Sequence, residues 1–278
     1  MQGLDSEDAA VSGLYDSVAD MYDSPEGQLG PVIFGGYLHW GYWDDSNADD
    51  DFPAAADKLA QIMISKTTIE ADQRFCDLGC GVGVPAIQLA NAKGCYVDGV
   101  TISKFQQENA TLRAREAGLE DRLTFIHANA LNVPCEDHIY DGGWFFESIF
   151  HMGHREALRE ASRILKPGAT LVLTDLQTLP NITEDFKEFV KQYIHSSFVS
   201  IDDYPDLMKE AGFELVELID VTENVMVPLL PKFKEALEKH KDAIKASNIS
   251  EKEVDNWVYT FEYMSQNLGY MLVVARKL

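Results

Sequence analysis

A glycine-rich turn between a predicted strand and a predicted helix is the strongest chemical signal in the chain. It reads Asp77-Leu78-Gly79-Cys80-Gly81-Val82-Gly83. Glycines allow the backbone to turn tightly and to approach a ligand, because no Cβ stands in the way. The N–H groups at the start of the next helix favour a negatively charged group. The turn therefore indicates a ligand site, but its spacing differs from the GxGxxG of dinucleotide sites.

A histidine and an aspartate, His151 and Asp175, follow the fourth and fifth predicted strands. Ligands collect at the carboxyl ends of parallel strands, so both side chains can face one cleft. Histidine has a suitable pKa for accepting a proton near neutral pH, and a carboxylate can orient the imidazole and stabilise its charged form. We expect the pair to remove a proton from a phenol or sugar hydroxyl, whereas an amine or an activated alkene needs no such base.

Strands and helices that alternate along the chain must hold these residues in place. Apolar patterns predict strands at 74–78, 96–101, 123–128, 140–146 and 169–174. Helical spacing predicts helices at 53–67, 84–92, 104–117 and 155–165, and Lys166-Pro167-Gly168 predicts a turn. Such alternation is typical of a parallel, doubly wound α/β sheet.

The regular alternation does not extend to either end of the chain. Residues 11–22 have helical spacing, 35–43 form an aromatic, loop-like run, and the acidic run 44–51 predicts a linker. The later patterns predict helices at 176–200, 203–211, 228–246 and 257–266, and strands at 213–221 and 270–275. We therefore expect additional segments around one α/β core.

The D-x-G-x-G-x-G form of the glycine turn resembles the first motif of class I S-adenosylmethionine (SAM)-dependent methyltransferases. The resemblance extends from about Tyr15 to the C-terminus. It implies a Rossmann-like, seven-stranded, mostly parallel sheet whose last strand is antiparallel. It also implies an N-terminal lid in residues 1–50 and a SAM-binding domain in 51–278, with a substrate cap inserted at about 176–200 and 226–267.

Family roles transfer to residues that match the family's motifs. In relatives the acidic residue helps to hold the methionine end of SAM and the glycines line it, which implies these roles for Asp77, Gly79 and Gly81. The second strand continues as G-x-T-I-S-x-x-Q, similar to a subgroup that includes mycolic-acid cyclopropane synthases and tocopherol methyltransferases. There a Thr and a Gln replace the usual acidic residue at the ribose, which implies Thr101 and Gln106. Their hydroxyl and amide groups can make the same hydrogen bonds without charge.

Two further motifs resemble segments that contact SAM. After the third predicted strand, a segment resembles the G-D-A-x-x-L-P run that faces the adenine, with Asn129 where Asp is usual and Ala130 beside it. Residues 38–43 resemble the L-H-x-G-Y-W segment of a natural-product subgroup, whose first two positions touch SAM from the lid. The resemblance therefore implies cofactor contacts for Leu38 and His39 as well.

The acceptor side is similar to rebeccamycin-type sugar O-methyltransferases, which share an E-S-x-x-H-M run and a later Asp. This implies that His151 and Asp175 are catalytic, and that a small, natural-product-like acceptor is O-methylated with S-adenosylhomocysteine (SAH) as the by-product. C-methylation of a prenyl or polyketide chain is an alternative. N-methylation of a glycine-type amine is another, because residues 133–137 also look like those of sarcosine/dimethylglycine methyltransferases.

Functions outside methyl transfer also stay open. Dinucleotide-dependent oxidoreductases use a related fold, but the absence of GxGxxG and the presence of Thr101 at the ribose position disfavour that class. A SAM-binding cyclase, or a protein that binds SAM without catalysis, is a third alternative because fold alone does not fix chemistry.

Composition and charge limit the partners. The net charge of −23 repels phosphate backbones, so we expect a small-molecule substrate and no nucleic acid. The N-terminus lacks the features of a signal peptide, and no apolar run is long enough to span a membrane. We expect a cytoplasmic protein that makes no membrane contact; a homo-oligomer is compatible with the sequence.

Cysteines and the remaining histidines give no sign of a metal site. The four cysteines form no CxxC and no cluster with histidine, so we expect no metal and expect Cys76 and Cys95 to be buried and reduced. No partner motif accompanies the other histidines, which we expect at the surface or in loops: His127, His138, His154, His195 and His240.

Overall fold

The computed structural model describes residues 18–24, 30–180, 182–190, 196–247 and 249–278. Within them, seven strands form one sheet. The strands are β1 (Arg74–Leu78), β2 (Tyr96–Thr101), β3 (Leu123–His127), β4 (Tyr140–Phe146), β5 (Leu165–Thr178), β6 (Phe213–Asp220) and β7 (Leu268–Lys277). Their order is β3-β2-β1-β4-β5-β7-β6, with β7 antiparallel to both neighbours. The pairs among β1 to β5 are parallel, which confirms the predicted fold class and its reversed last strand.

Helices join the strands and cover the sheet. They are α1 (Phe52–Lys66), α2 (Val84–Lys93), α3 (Lys104–Glu116), α4 (His154–Ile164), α5 (Glu184–Phe189), α6 (Tyr204–Glu210), α7 (Thr222–Lys239), α8 (Lys241–Ala246) and α9 (Glu251–Asn267). Single 3₁₀ turns lie at Ile149–His151 and Ile201–Asp203. Side-chain caps explain two of the helix starts: Asp51 accepts a hydrogen bond from the first turn of α1, and Ser103 accepts one from that of α3.

The N-terminal helix is described only in part. Residues 18–23 are helical, and the rest of the helix predicted at 11–22 lies outside the described residues. The helix predicted at 228–246 is in fact two helices, α7 and α8, and Pro228 and Pro231 lie inside α7. Cys76 and Cys95 are fully buried and free, as expected. Among the described helices, none combines the length and the apolar character that a membrane crossing requires.

β5 is longer than its apolar pattern predicts, because β7 continues to pair with it as far as Thr178. The turn predicted at 166–168 lies inside this strand, where the pairing with β4 shifts register after Tyr140. The prediction of a helix at 176–200 is wrong for residues 176–178, which belong to β5. The helix that the structure describes in this stretch is α5. A strand whose backbone has a partner on both sides overrides the local helical pattern.

Side chains on the central strands alternate between two faces of the sheet. Trp144 and Phe146 belong to a cluster that includes α1 and the N-terminal aromatic run, and Phe145 belongs to a second cluster with α4 and α6. The same period of two sends Thr174 and Asp175 to opposite faces of β5. Thr174 Oγ1 accepts the N–H of Glu147 at the end of β4, whereas Asp175 lies toward α4 and α6.

Candidate active site

A cavity lies at the carboxyl ends of β1, β2 and β4, below the N-terminal segment, and encloses about 900 Å³ including its open mouth. The nine residues assigned to the cofactor from sequence all line it: Leu38, His39, Asp77, Gly79, Gly81, Thr101, Gln106, Asn129 and Ala130. His151 lines it as well, and Asp175 does not. The structure thus brings the assigned residues together, and their individual roles toward SAM stay predictions.

The glycine turn owes its shape to positive φ angles and to a close neighbour in the segment that follows β4. Gly79 has φ +94° and Gly81 has φ +51°, in the region that side chains other than glycine avoid. A Cβ at Gly79 would lie 2.4 Å from the Cβ of Ser148. Ser148 is held there because its hydroxyl donates to the carbonyl of Leu78 at 2.5 Å. The glycine is therefore required by the protein's own packing, whatever ligand the turn binds.

Asp77 is a buried carboxyl group that opens onto the cavity. Its side chain is 1% exposed, and burial raises its pKa to about 7. Trp144 lies close enough to oppose this rise in the pKa, yet Oδ1 makes no hydrogen bond of normal geometry among the described residues. Such an acceptor fits the cationic methionine end of SAM, which carries an ammonium group and a sulfonium, because leaving a buried acceptor unpaired is costly.

The opposite end of the cavity presents amide and hydroxyl groups. Thr101 Oγ1 donates to Gln106 Oε1 at 2.7 Å, so the amide N–H groups of Gln106 point away from Thr101. This arrangement fits ribose hydroxyls, which can accept from that amide. Asn129 Oδ1 already accepts the N–H of Leu131 at 2.8 Å, so one of its two acceptor positions is used within its own turn.

The expected pairing of His151 with Asp175 is wrong. His151 Nε2 lies 3.1 Å from the hydroxyl of Tyr22, and Nδ1 lies 3.0 Å from that of Ser196. Asp175 Oδ2 instead lies 2.7 Å from His154 Nε2 and 2.5 Å from the hydroxyl of Tyr204. The reason is the length of β5: Asp175 lies inside the strand and points to the face opposite the cavity.

His154 also differs from its expected surface position. It is 5% exposed at the start of α4 and forms the buried cluster with Asp175. His195 lies outside the described residues. Three further residues contact the site. Glu147 and Ser196 had no role predicted from the sequence, whereas Tyr22 lies in the N-terminal segment that we expected to close over the cofactor.

Glu147 is a second carboxyl group that lines the cavity, and its side chain is half-buried. It has φ +49° directly after β4, and burial raises its pKa to about 8. Oε1 accepts the backbone N–H of Trp40 at 2.9 Å and the hydroxyl of Tyr270 at 2.5 Å. The E-S-x-x-H-M run contains this residue and is the signal that could have identified it.

Known proteins match both the chain and its fold. A family model described as a methyltransferase domain matches residues 76–173. The (+)-O-methylkolavelool synthase of Herpetosiphon aurantiacus is 31% identical over 274 residues, which is 96% of this chain and 93% of that protein. The 27-O-demethylrifamycin SV methyltransferase of Amycolatopsis mediterranei is 32% identical over 274 residues, or 95% of each chain.

A solved structure extends the likeness to three dimensions. The crystal structure of the [4+2]-cyclase SpnF matches with a TM-score of 0.80 and 27% identity, over 95% of this chain and 96% of that one. The sequence relatives show the family, and this match shows that the fold is shared over nearly the whole chain. The chain belongs to the class I methyltransferases that use SAM and act on small molecules.

Proposed function

We propose that the enzyme transfers the methyl group of SAM to a hydroxyl of a small, natural-product-like molecule and releases SAH. The names of two relatives support a hydroxyl acceptor, since one makes O-methylkolavelool and the other acts on 27-O-demethylrifamycin SV. The net charge of −23 supports the accompanying proposal that nucleic acid is not an acceptor. The four free cysteines support a reducing compartment such as the cytoplasm.

The observation that carries the proposal is the hydrogen bond between His151 and a hydroxyl group. Tyr22 places its hydroxyl 3.1 Å from His151 Nε2, and both residues line the cavity. An acceptor hydroxyl that displaced Tyr22 would meet the same nitrogen at hydrogen-bond distance. Bound SAM would supply a methyl group activated by its attachment to a sulfonium.

His151 has a defined proton-transfer role in this proposal. In the reactive form Nδ1–H donates to Ser196 Oγ, which leaves Nε2 as the acceptor. As the acceptor oxygen takes the methyl group that bound SAM would supply, its proton would pass to Nε2. The C–S bond would break, SAH would leave as a neutral thioether, and the positive charge would end on the imidazolium. Ser196 thus takes the orienting position that the sequence had assigned to Asp175.

The lid and cap divisions remain part of the proposal. We propose that residues 1–50 close over a SAM-binding domain in 51–278, with a cap at about 176–200 and 226–267. Ring contacts support packing of the proposed lid against the domain and the cap. Phe34 stacks on Phe52 with centroids 4.4 Å apart, and it also contacts the rings of Phe233 and Phe261. Those last two rings stack on each other at 3.8 Å, across α7 and α9.

A cyclisation with SAM merely bound is the second candidate, and the match to SpnF favours it. The two reactions differ in mass balance. Methyl transfer consumes SAM, releases one SAH per turnover and adds a CH₂ unit to the product. Cyclisation leaves SAM intact and gives an isomer of the substrate.

The test is an acceptor screen that measures SAH release and product mass together. Hydroxylated polyketides and terpenoids are compared with amines and with prenyl chains. SAH formation with a methyl ether product supports the proposal, and SAH formation only with amines or alkenes would replace it with N- or C-methylation. An isomerised product without SAH would favour the cyclase.

A further inference from the structure

The carboxyl group of Glu147 is held in place by three parts of the protein. Its own backbone N–H donates to Thr174 Oγ1 at 3.1 Å, which fixes the left-handed turn after β4. Its Oε1 accepts from the N–H of Trp40, in the N-terminal aromatic run, and from the hydroxyl of Tyr270, on β7. Of the non-glycine described residues with positive φ, Glu147 is the one that lines the cavity. A non-glycine residue in this conformation is often found where function requires it.

The peptide of Trp40 connects Glu147 to His39. The N–H of Trp40 donates to Glu147, and the carbonyl of Trp40 lies 2.8 Å from His39 Nδ1. A carbonyl can only accept, so Nδ1 must carry the hydrogen. Burial lowers the pKa of His39 to about 4, so the imidazole is neutral and Nε2 bears a lone pair. The ring is also stacked on Phe146, with centroids 4.0 Å apart.

The lone pair on Nε2 has no hydrogen-bond partner among the described residues. His39 is 4% exposed and lines the cavity, so this nitrogen is a buried hydrogen-bond acceptor in the wall of the ligand cavity. Leaving such an acceptor unpaired in the complex would cost stability. A ligand group with an N–H or O–H can supply the missing hydrogen bond.

We infer that Glu147 is a positioning residue that acts through the Trp40 peptide to hold His39 with Nε2 as a hydrogen-bond acceptor for a donor group of the bound substrates. Two donors have this chemistry: the ammonium of the methionine half of SAM and the hydroxyl of the methyl acceptor. The inference concerns the wall of the SAM cavity and does not require His151 to be the base.

Nitrogen-15 NMR of protein with labelled histidine reads the tautomer directly. Glu147→Gln keeps an oxygen that can accept from Trp40, and Glu147→Ala removes it. We expect the Nδ1–H tautomer of His39 in the wild type and in Glu147→Gln, and a mixture of tautomers in Glu147→Ala. Tyr270→Phe removes the other donor on the same oxygen and should keep the wild-type His39 spectrum. A protonated Nε2 in the neutral wild type would overturn the inference.

Calorimetric titration with SAH distinguishes the two donors. His39→Phe preserves a ring to stack on Phe146 but removes both nitrogens. If the donor is the ammonium, SAH binding weakens by roughly tenfold, as expected for one lost hydrogen bond to a charged group. If the hydrogen-bond donor is instead the hydroxyl of the methyl acceptor, SAH binding is unchanged and kcat/KM for that substrate falls by a similar factor. Unchanged values for both ligands would contradict the inference.

The double variant His39→Phe/Glu147→Ala tests whether Glu147 acts through His39. If it does, Glu147→Ala adds nothing to the loss caused by His39→Phe. If the losses in SAH affinity or kcat/KM are independent and additive, Glu147 acts by another route and the positioning role is wrong. If Glu147→Ala does not fold, the His39→Phe titration and the wild-type tautomer still decide whether Nε2 of His39 accepts from a ligand. Glu147→Gln then tests the positioning role, because a changed tautomer in this folded variant, which keeps the acceptor oxygen, would contradict it. The tautomer of His39 and the SAH affinity do not depend on methyl transfer, so these two readouts can fail separately from the proposed function.

Discussion

His154 Nε2 lies 2.7 Å from Asp175 Oδ2, and both side chains are buried on the face of the sheet opposite the cavity. Asp175 also accepts from the hydroxyl of Tyr204, which joins α4, β5 and α6 in one polar cluster. A buried hydrogen-bonded carboxylate at such a junction stabilises the packing of the elements around it.

Asp175→Asn should therefore reduce stability more than turnover. Loss of the charged acceptor to His154 and Tyr204 is expected to lower the free energy of unfolding by about 1–3 kcal/mol, measured by urea denaturation. At a temperature where the variant is folded, kcat should stay within a few-fold of the wild type. A stable variant with greatly reduced kcat would instead return Asp175 to the catalytic machinery.

His151→Ala is expected to lower turnover by about 10²–10⁴-fold, the usual contribution of a general base. SAM affinity should be nearly unchanged, since the loss falls on the acceptor's proton. His240→Ala, at the end of α7 and away from the cavity lining, is the matched histidine control. An unaltered rate in His151→Ala would reduce this histidine to a structural role.

Ser196→Ala should lower kcat by a smaller factor, with little change in SAM binding. Ser196 contacts His151 Nδ1 at 3.0 Å. In the proposed mechanism it orients the imidazole and does not touch the methyl acceptor. Ser196→Thr keeps the hydroxyl and should recover much of the rate. Failure of the threonine to recover activity, in a folded protein, would argue against an orienting hydroxyl.

Gly79→Ala is expected to abolish SAM binding by distorting the turn. The added Cβ would lie 2.4 Å from that of Ser148, and the residue would have to keep φ +94°. Gly118→Ala is the control, because Gly118 has φ +67° but its Cβ would meet nothing within 4 Å. Gly118→Ala introduces backbone strain without crowding. Equal losses of SAM affinity in both variants would therefore mean that crowding at Ser148 is unimportant.

SAM affinity should rise with pH through about 7. Burial raises the pKa of Asp77 to about 7 in the ligand-free protein, so the carboxyl is largely protonated at pH 6 and ionised at pH 8. A cationic ligand favours the ionised form, so binding below pH 7 must release a proton and is weaker there. Titrations in buffers of different ionisation enthalpy measure that proton, and Asp77→Asn should remove most of the dependence. A pH-independent affinity in the wild type would contradict this role of Asp77.

The first five strands and the ligand-facing ends of β1 and β2 could be predicted because they depend on local patterns, whereas the antiparallel last strand and the individual cofactor residues came from the family resemblance. Asp77, Gly79 and Thr101 lie where short apolar strands end, and a parallel sheet brings those ends to one edge. The pairing of Asp175 could not be predicted, because the length of β5 depends on β7, nearly a hundred residues later. A shift of one position along a strand moves a side chain to the other face.

Contacts made by the N-terminal segment were also beyond the reach of pattern analysis. Tyr22 meets His151 and Trp40 meets Glu147 across more than a hundred residues of chain. Helical spacing marks Tyr22 as an apolar position, and no local pattern indicates that its hydroxyl meets the imidazole of His151. Such long-range polar contacts depend on the packed fold.

Calorimetric titration of the purified protein with SAM, SAH and NAD in parallel tests directly whether the cavity is a SAM site. We expect micromolar binding of SAM and SAH at a single site and no heat with NAD. Absence of SAM binding would contradict the assignment of the cofactor, and the glycine turn would then need another ligand or none.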